Sequence, residues 1–419
     1  MRPVTPRGFR DVLFEEAAER RAVTAAVSEV FARYAYRFVE TPAVEEYATL
    51  EAAIGASVSG AAFRLVDLDG SLLALRPEMT LPIARLAASR LRDEPAPQRI
   101  CYAADVFREH ASLRGESRQF AQLGVELLGA NGPASDAEVV GVLVDALDAT
   151  GLKEFTVGVG TVAVLRALIE AADAGPHWAD AVMAAAHARN LVSLDVLSSA
   201  AGVPAQVGAA LRRVVRIAGG REAIADCREA AGAAGCAGAL DALEAAWDLL
   251  DAAGVTARVR VDFGILRSFD YYTGLIVEAY APGLGLPLGG GGRYDDLLAA
   301  FGAPMPAAGF ALSLERVMIA LAVQSVEVPV RGLDALVGGD AASCARACAR
   351  LRARGWRVQA SETRDSVELA RQAAAAGAYC WMDPASSQAI RTTDGAAVTI
   401  DPVPAPPTLE LSTAKGGLR

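Results

Sequence analysis

Two stretches decide the fold class: Ile100-Cys101-Tyr102-Ala103-Ala104-Asp105-Val106-Phe107 and, after a polar loop, Phe120-Ala121-Gln122-Leu123-Gly124-Val125-Glu126-Leu127-Leu128. Each is apolar, of strand length and bounded by polar residues, so the pair reads as strand–loop–strand. Side chains alternate along a strand, so Arg118, Gln122 and Glu126 share one face with Phe120 and Gly124. The same layout brings Arg108 near that face. Three polar groups on an apolar strand mean either a solvated face or a polar pocket.

Outward from this pair the chain alternates helix and strand without βαβ regularity. Residues 14–36 carry helical spacing, with Val23, Val27, Val30 and Phe31 on one face. Phe38–Pro42 reads as a strand, and Phe63–Asp67 with Leu72–Leu75 as a hairpin turning at Asp69-Gly70. Pro77–Leu91 reads as a helix. Ser135 and Glu138 have capping-box spacing ahead of Val139, Val140, Leu143 and Leu147. Strands follow at Phe155–Val159, Val255–Phe263 and Thr273–Tyr280. The Ala/Leu-rich texture of about 162–255 predicts a helical insertion within a domain spanning 1–324. A glycine run, Gly289–Gly292, leads to Arg293-Tyr294-Asp295, and a helix is expected from Ser313. After a linker at 325–332, residues 333–401 alternate strand and helix as a small α/β module, and 402–419 form a Pro-rich tail. The class is α+β, an antiparallel sheet with helices on one face. No Gly-x-Gly-x-x-Gly follows an early strand, so a dinucleotide-binding fold is not expected.

The 419 residues are 53% hydrophobic and 21% charged, enough for a large core. Net charge is −10, which argues against a nucleic-acid arm, as does the lack of an obvious basic face on the C-terminal module. Of 40 basic residues only Lys153 and Lys415 are lysines, so no phosphate-loop lysine motif can be written. Three histidines, His110, His177 and His187, show no metal spacing. Six cysteines without Cys-x-x-Cys, including Cys344 and Cys348 on one helix face, read as buried reduced thiols. Pro304 and Pro306 interrupt the uncharged run Leu297–Leu314, so it does not read as a membrane span. The early charges lack a signal core, and a cytoplasmic protein is expected.

Four clusters could carry chemistry. Leu75-Arg76-Pro77-Glu78-Met79-Thr80 ends a strand and opens a helix; Glu78 and Thr80 could hold an ammonium and a carboxylate, or simply cap the helix. The second is the strand pair with Arg108, Gln122 and Glu126. The third is Arg267-Ser268-Phe269-Asp270-Tyr271-Tyr272, an amphipathic wall or an ordinary turn. The fourth joins Gly289–Asp296 to Gly309-Phe310-Ala311-Leu312-Ser313-Leu314-Glu315-Arg316, where Arg316 could meet an anion.

In order and spacing these clusters resemble class II histidyl-tRNA synthetases, from about residue 6 to 323. Leu75–Thr80 is similar to the histidine-binding loop Leu-Arg-Pro-Glu-Gly-Thr, the strand pair to motif 2, and 267–272 to Arg-Gly-Leu-Asp-Tyr-Tyr. Gly309–Arg316 resembles motif 3, Arg37–Pro42 motif 1, and Pro6–Leu13 the family's N-terminal segment. Three departures stand out: Glu116 replaces a phosphate-facing arginine, Met79 replaces glycine and puts a side chain in the amino-acid loop, and Ser268-Phe269 replace Gly-Leu. The C-terminal module resembles a shortened anticodon-binding domain.

These departures resemble the paralogous family of ATP phosphoribosyltransferase regulatory subunits. The resemblance implies a non-catalytic subunit with no cofactor or metal. Its partners would be a short-form catalytic subunit and a second copy, joined through the motif 1 region. It further implies a histidine-type pocket of Glu78, Thr80, Arg108, Gln122, Glu126, Arg267, Tyr271 and Tyr272, with L-histidine as candidate feedback ligand. A true histidyl-tRNA synthetase is the alternative, since Arg108, Arg267 and Arg316 are all kept.

Overall fold

The computed structural model describes residues 4–51, 62–109, 117–265, 271–383 and 388–398. The chain divides into two units, Met1–Val328 and Pro329–Arg419. In chain order the first carries β1 (Arg37–Phe38), β2 (Val44–Glu46), β3 (Arg64–Val66), β4 (Leu72–Leu75), β5 (Gln98–Phe107) and β6 (Gln119–Leu128). Then come β7 (Thr156–Thr161), β8 (Ala218–Gly219), β9 (Val259–Asp262), β10 (Leu275–Tyr280), β11 (Gly289–Arg293) and β12 (Ala307–Ser313).

Nine strands form one sheet in the order β1-β5-β6-β12-β11-β10-β7-β9-β8, and β2-β4-β3 form a small one. The large sheet is antiparallel except at β1–β5 and β7–β9, consistent with the α+β class. β5 and β6 pair with Tyr102 opposite Gly124 and Ala104 opposite Gln122. Alternation then sorts their side chains. Leu123, Val125 and Leu127 enter a core with Val27, Phe31, Val139 and Leu143 from helices Phe14–Arg33 and Pro133–Ala149. Ile100, Tyr102 and Val106 enter a second core with Leu81, Ile83, Ile276 and Tyr294. Burying each such side chain stabilises by about 1.5–3 kcal/mol, so a one-residue slip of β6 would exchange Leu123 and Val125 for Gln122 and Glu126 at great cost.

Some expectations change. Helix 77–91 runs only Thr80–Ser89, because Pro77 and Glu78 belong to its approach and Glu78 accepts the amides of Thr80 and Leu81. The Ser135–Glu138 capping box does not form. Pro133 opens that helix after Gly132 at φ +86°, Ser135 Oγ donates to Gly132, and Glu138 accepts from Arg99 and Tyr36 instead. The strand expected at 38–42 is only β1. The glycine run is a fully buried strand, β11, because its neighbours lie too close for side chains: a Cβ at Gly291 would sit 1.9 Å from Gly309 O. The uncharged run becomes the 3-10 turn Leu297–Phe301 and β12. Among the described residues no helix is long and apolar enough to cross a membrane.

Between β7 and β9 lie helices Ala163–Ala172, Pro176–His187, Leu191–Leu197, Ala205–Val214, Glu222–Gly232 and Asp241–Ala252. This stretch also supplies β8, which pairs with β9 at the sheet edge. The second unit has strands β13 (Ala335–Val337), β14 (Val358–Ala360), β15 (Cys380–Asp383), β16 (Gln388–Arg391) and β17 (Ala397–Val398), in the order β14-β13-β15-β16-β17. Asp340 and Asp365 cap its helices, Ala341–Ala353 and Ser366–Ala375, by accepting N-terminal amides. On helix Ala341–Ala353, Arg346 and Arg350 are exposed one turn apart, because the opposite face spends Cys344, Ala347, Cys348 and Leu351 on the core. All six cysteines are free thiols and buried. The 402–419 tail lies outside the described residues.

Candidate functional site: an acid-floored cavity on the central sheet

The cavity forms where β4 hands over to helix Thr80–Ser89. Buried Arg76 pins the handover by donating to the carbonyls of Asp105 at 2.8 Å and Thr41 at 2.7 Å. The next turn delivers Glu78, whose carboxylate accepts the amides of Thr80 at 2.7 Å and Leu81 at 2.8 Å. Burial pushes the Glu78 carboxyl up, while these amides and the Arg108 charge oppose the shift.

From β6 comes Glu126, 1% exposed. Its oxygens accept from Thr80 Oγ1 at 3.1 Å, the Tyr102 hydroxyl at 3.2 Å and the Tyr294 hydroxyl. Burial pushes this carboxyl up to about 8, against the pull of the three hydroxyl donors. Glycine makes room for it and for its Tyr102 partner: a Cβ at Gly309 would lie 2.0 Å from Glu126 Oε2, and one at Gly124 would lie 2.5 Å from the Tyr102 hydroxyl oxygen. Gln122, four residues before Glu126 on the same face, is buried, and its Oε1 has no hydrogen-bond partner among the described residues.

Tyr271 and Tyr272 close one wall with ring centroids 4.9 Å apart, and Tyr271 meets Tyr294 edge-on at 5.9 Å. At the other end Arg108 donates to Pro77 O at 2.7 Å and lies over the Phe120 ring at 5.3 Å. Arg316 donates to Pro287 O at 2.8 Å. Arg108, Phe120, Ser313 and Arg316 are shared with an outer cavity walled by Arg10, Glu16, Arg20, Glu315 and Ile319.

Of the eight pocket residues read from the sequence, Glu78, Thr80, Arg108, Gln122, Glu126, Tyr271 and Tyr272 line this one cavity. Arg267 lies outside the described residues, as do Glu116, Ser268 and Phe269. Met79 does not enter the cavity; it is 1% exposed in the core with Leu81 and Ile83. Sequence reading missed Tyr102 and Tyr294 as partners of Glu126. Their signals were a tyrosine opposite the polar face of β6 and a tyrosine directly after the glycine strand. The arrangement suits a small ligand with a cationic or hydrogen-bond-donating group at the acidic floor and an anionic end near Arg108 and Arg316.

The histidyl-tRNA synthetase family profile matches residues 8–317. The ATP phosphoribosyltransferase regulatory subunit of Moorella thermoacetica is 39% identical over 373 residues, covering 89% of this chain and 96% of its own. That of Symbiobacterium thermophilum is 41% identical over 370 residues, covering 85% and 91%. A crystal structure described as an ATP phosphoribosyltransferase regulatory subunit/histidyl-tRNA synthetase from Bacillus halodurans superposes with a TM-score of 0.78 at 27% identity, covering 91% of this chain and 97% of that one. Both the family read from the motifs and the paralogous branch read from the departures are thus matched over most of the length. The chain belongs to the histidyl-tRNA synthetase family and, within it, to the ATP phosphoribosyltransferase regulatory subunits.

Proposed function

We propose that this chain serves as a non-catalytic regulatory subunit that works in the cytoplasm with a short-form ATP phosphoribosyltransferase catalytic subunit in the first step of histidine biosynthesis. Its cavity binds L-histidine as the feedback signal. The observation that carries this reading is the convergence of seven side chains, from stretches around 78, 108, 122 and 271, on one cavity with two buried carboxylates. Glu78, Thr80 and the Gln122 carbonyl, which has no partner among the described residues, meet the α-amino and carboxylate end, helped by Arg108 and Arg267. Glu126 with Tyr271 and Tyr272 meets the imidazole. Two copies pair through the Arg37–Pro42 region. Feedback requires that histidine bind two arrangements of the complex with different affinity.

Arg108 and Arg316, both at the cavity, favour a second reading, ATP-dependent aminoacylation of tRNA. A paired assay separates them. One arm measures histidine charging of tRNA with ATP. The other mixes the protein with a short-form catalytic subunit and follows phosphoribosyl-ATP, with and without histidine. Activity confined to the second arm, inhibited by histidine, is the expected result; charging in the first arm overturns the regulatory reading.

A further inference from the structure

The tyrosine wall is clamped from two directions. On one side Thr273 N–H donates to Arg293 O of β11 at 2.8 Å, and Asp295 N–H donates to Thr273 Oγ1 at 3.1 Å. On the other side stands the helical insertion. Arg166, in the first turn and a half of helix Ala163–Ala172, donates Nη2 to the Tyr272 carbonyl at 2.8 Å, and Val162 N–H donates to Gly274 O at 3.0 Å. Tyr272 is 6% exposed, so its carbonyl is costly to leave unmet. From there contact runs through the tilted Tyr271–Tyr272 ring pair to Tyr294 and to Glu126. Arg166 does not line the cavity itself; it lines a separate pocket with Glu170, Asp180 and His187 of the insertion.

We propose that Arg166 is a positioning residue: through it the seating of the helical insertion sets the place of the Tyr271–Tyr272 wall and so tunes ligand affinity in the cavity. The identity of that ligand rests on the histidine reading above; the positioning role does not. A physical route exists because each link is a contact, and the guanidinium bond to a main-chain carbonyl fixes the backbone that carries both rings.

The test uses the full-length protein with Arg166→Gly and Arg166→Lys, read by hydrogen exchange and by titration calorimetry with L-histidine. Without ligand, Arg166→Gly raises amide exchange in the 271–274 segment about tenfold and leaves β6 and β12 unchanged, since one charge-assisted bond is lost. Millimolar ethylguanidinium restores protection in Arg166→Gly, and Arg166→Lys is intermediate. Histidine dissociation constants follow the same order. Unchanged exchange at 271–274 in Arg166→Gly overturns the proposal, as does a general rise in exchange that ethylguanidinium does not reverse. If the unaltered protein takes up no histidine, the feedback reading falls and the exchange arm alone decides the role of Arg166.

Discussion

Two carboxylates lie buried at the central sheet, Asp136 in a helix packed on it and Glu126 on its strand β6, and they are given different partners. Asp136, in helix Pro133–Ala149, meets the guanidinium of Arg293 at 2.7 Å, and that arginine also reaches Ser135, Asp295 and the Ala130 carbonyl. Both side chains are under a tenth exposed. Glu126 is equally buried, but its donors are three hydroxyls. Burial raises both carboxyls: at Asp136 the Arg293 charge and hydrogen bond oppose it, whereas the hydroxyls at Glu126 satisfy lone pairs without supplying a full positive charge, and with the Glu78 charge adding to burial that carboxyl rises to about 8. The first acid is neutralised to hold β11 against the helix. On the histidine reading proposed above, the second is kept tunable at the cavity floor, where an incoming cation can complete it.

The contrast can be broken most forcefully at the first site. Arg293→Met strands Asp136 without its charge partner and is expected to cost about 3–5 kcal/mol, seen as a large fall in the urea midpoint. A loss under 1 kcal/mol would mean the pair is not structural. Next is pH. Glu126 has a folded pKa raised above its ordinary value of 4.5, to about 8, so the folded state holds the proton more tightly. Its contribution is fully present below 4.5 and is lost as pH rises through 8. The urea midpoint of the unaltered protein should therefore fall from pH 5 to 8.5, and Glu126→Gln should flatten that fall by on the order of 1–3 kcal/mol. Identical slopes in the two proteins would refute the tunable acid. The same variant should weaken histidine binding by about tenfold or more, the loss of one charge-assisted hydrogen bond, measurable by calorimetry. Smaller still is the partly buried Arg99–Glu138 pair, at 2.7 Å. Arg99→Met should cost about 1 kcal/mol. Arg371→Ala, which breaks an exposed pair with Glu368, should move the thermal midpoint by less than the error of most melts.

Much of this was legible from period and parity. Leu123 and Val125 against Gln122 and Glu126 announce a strand with one apolar and one polar face, and Val23, Val27, Val30 and Phe31 announce a helix stripe. What sequence could not supply was register. That Tyr102 reaches Glu126 follows from the pairing of β5 with β6, and that Tyr294 reaches it follows from β11 sitting beside β12. Four glycines in a row carry no strand signal, since their reason for being there is the closeness of neighbouring backbones. The capping-box spacing at 135–138 misled because Pro133 had already started the helix and Glu138 was drawn to Arg99. The polar face of β6 left open whether it met solvent or a pocket; only the tyrosine wall and the Thr80 turn close it into a cavity.

The burial of every cysteine has a practical consequence. Cys101, Cys227 and Cys236 lie in the first unit and Cys344, Cys348 and Cys380 in the second. Burial alone pushes Cys101 up to about 11, and it is the leading cause of the rise to about 12 at Cys227 and about 11 at Cys380. Native protein should therefore be nearly silent to maleimides, which attack thiolates. Each thiol becomes a timer that starts only when its own surroundings open, so peptide-resolved labelling under mild denaturant would report the opening of the two units separately, from one untagged sample.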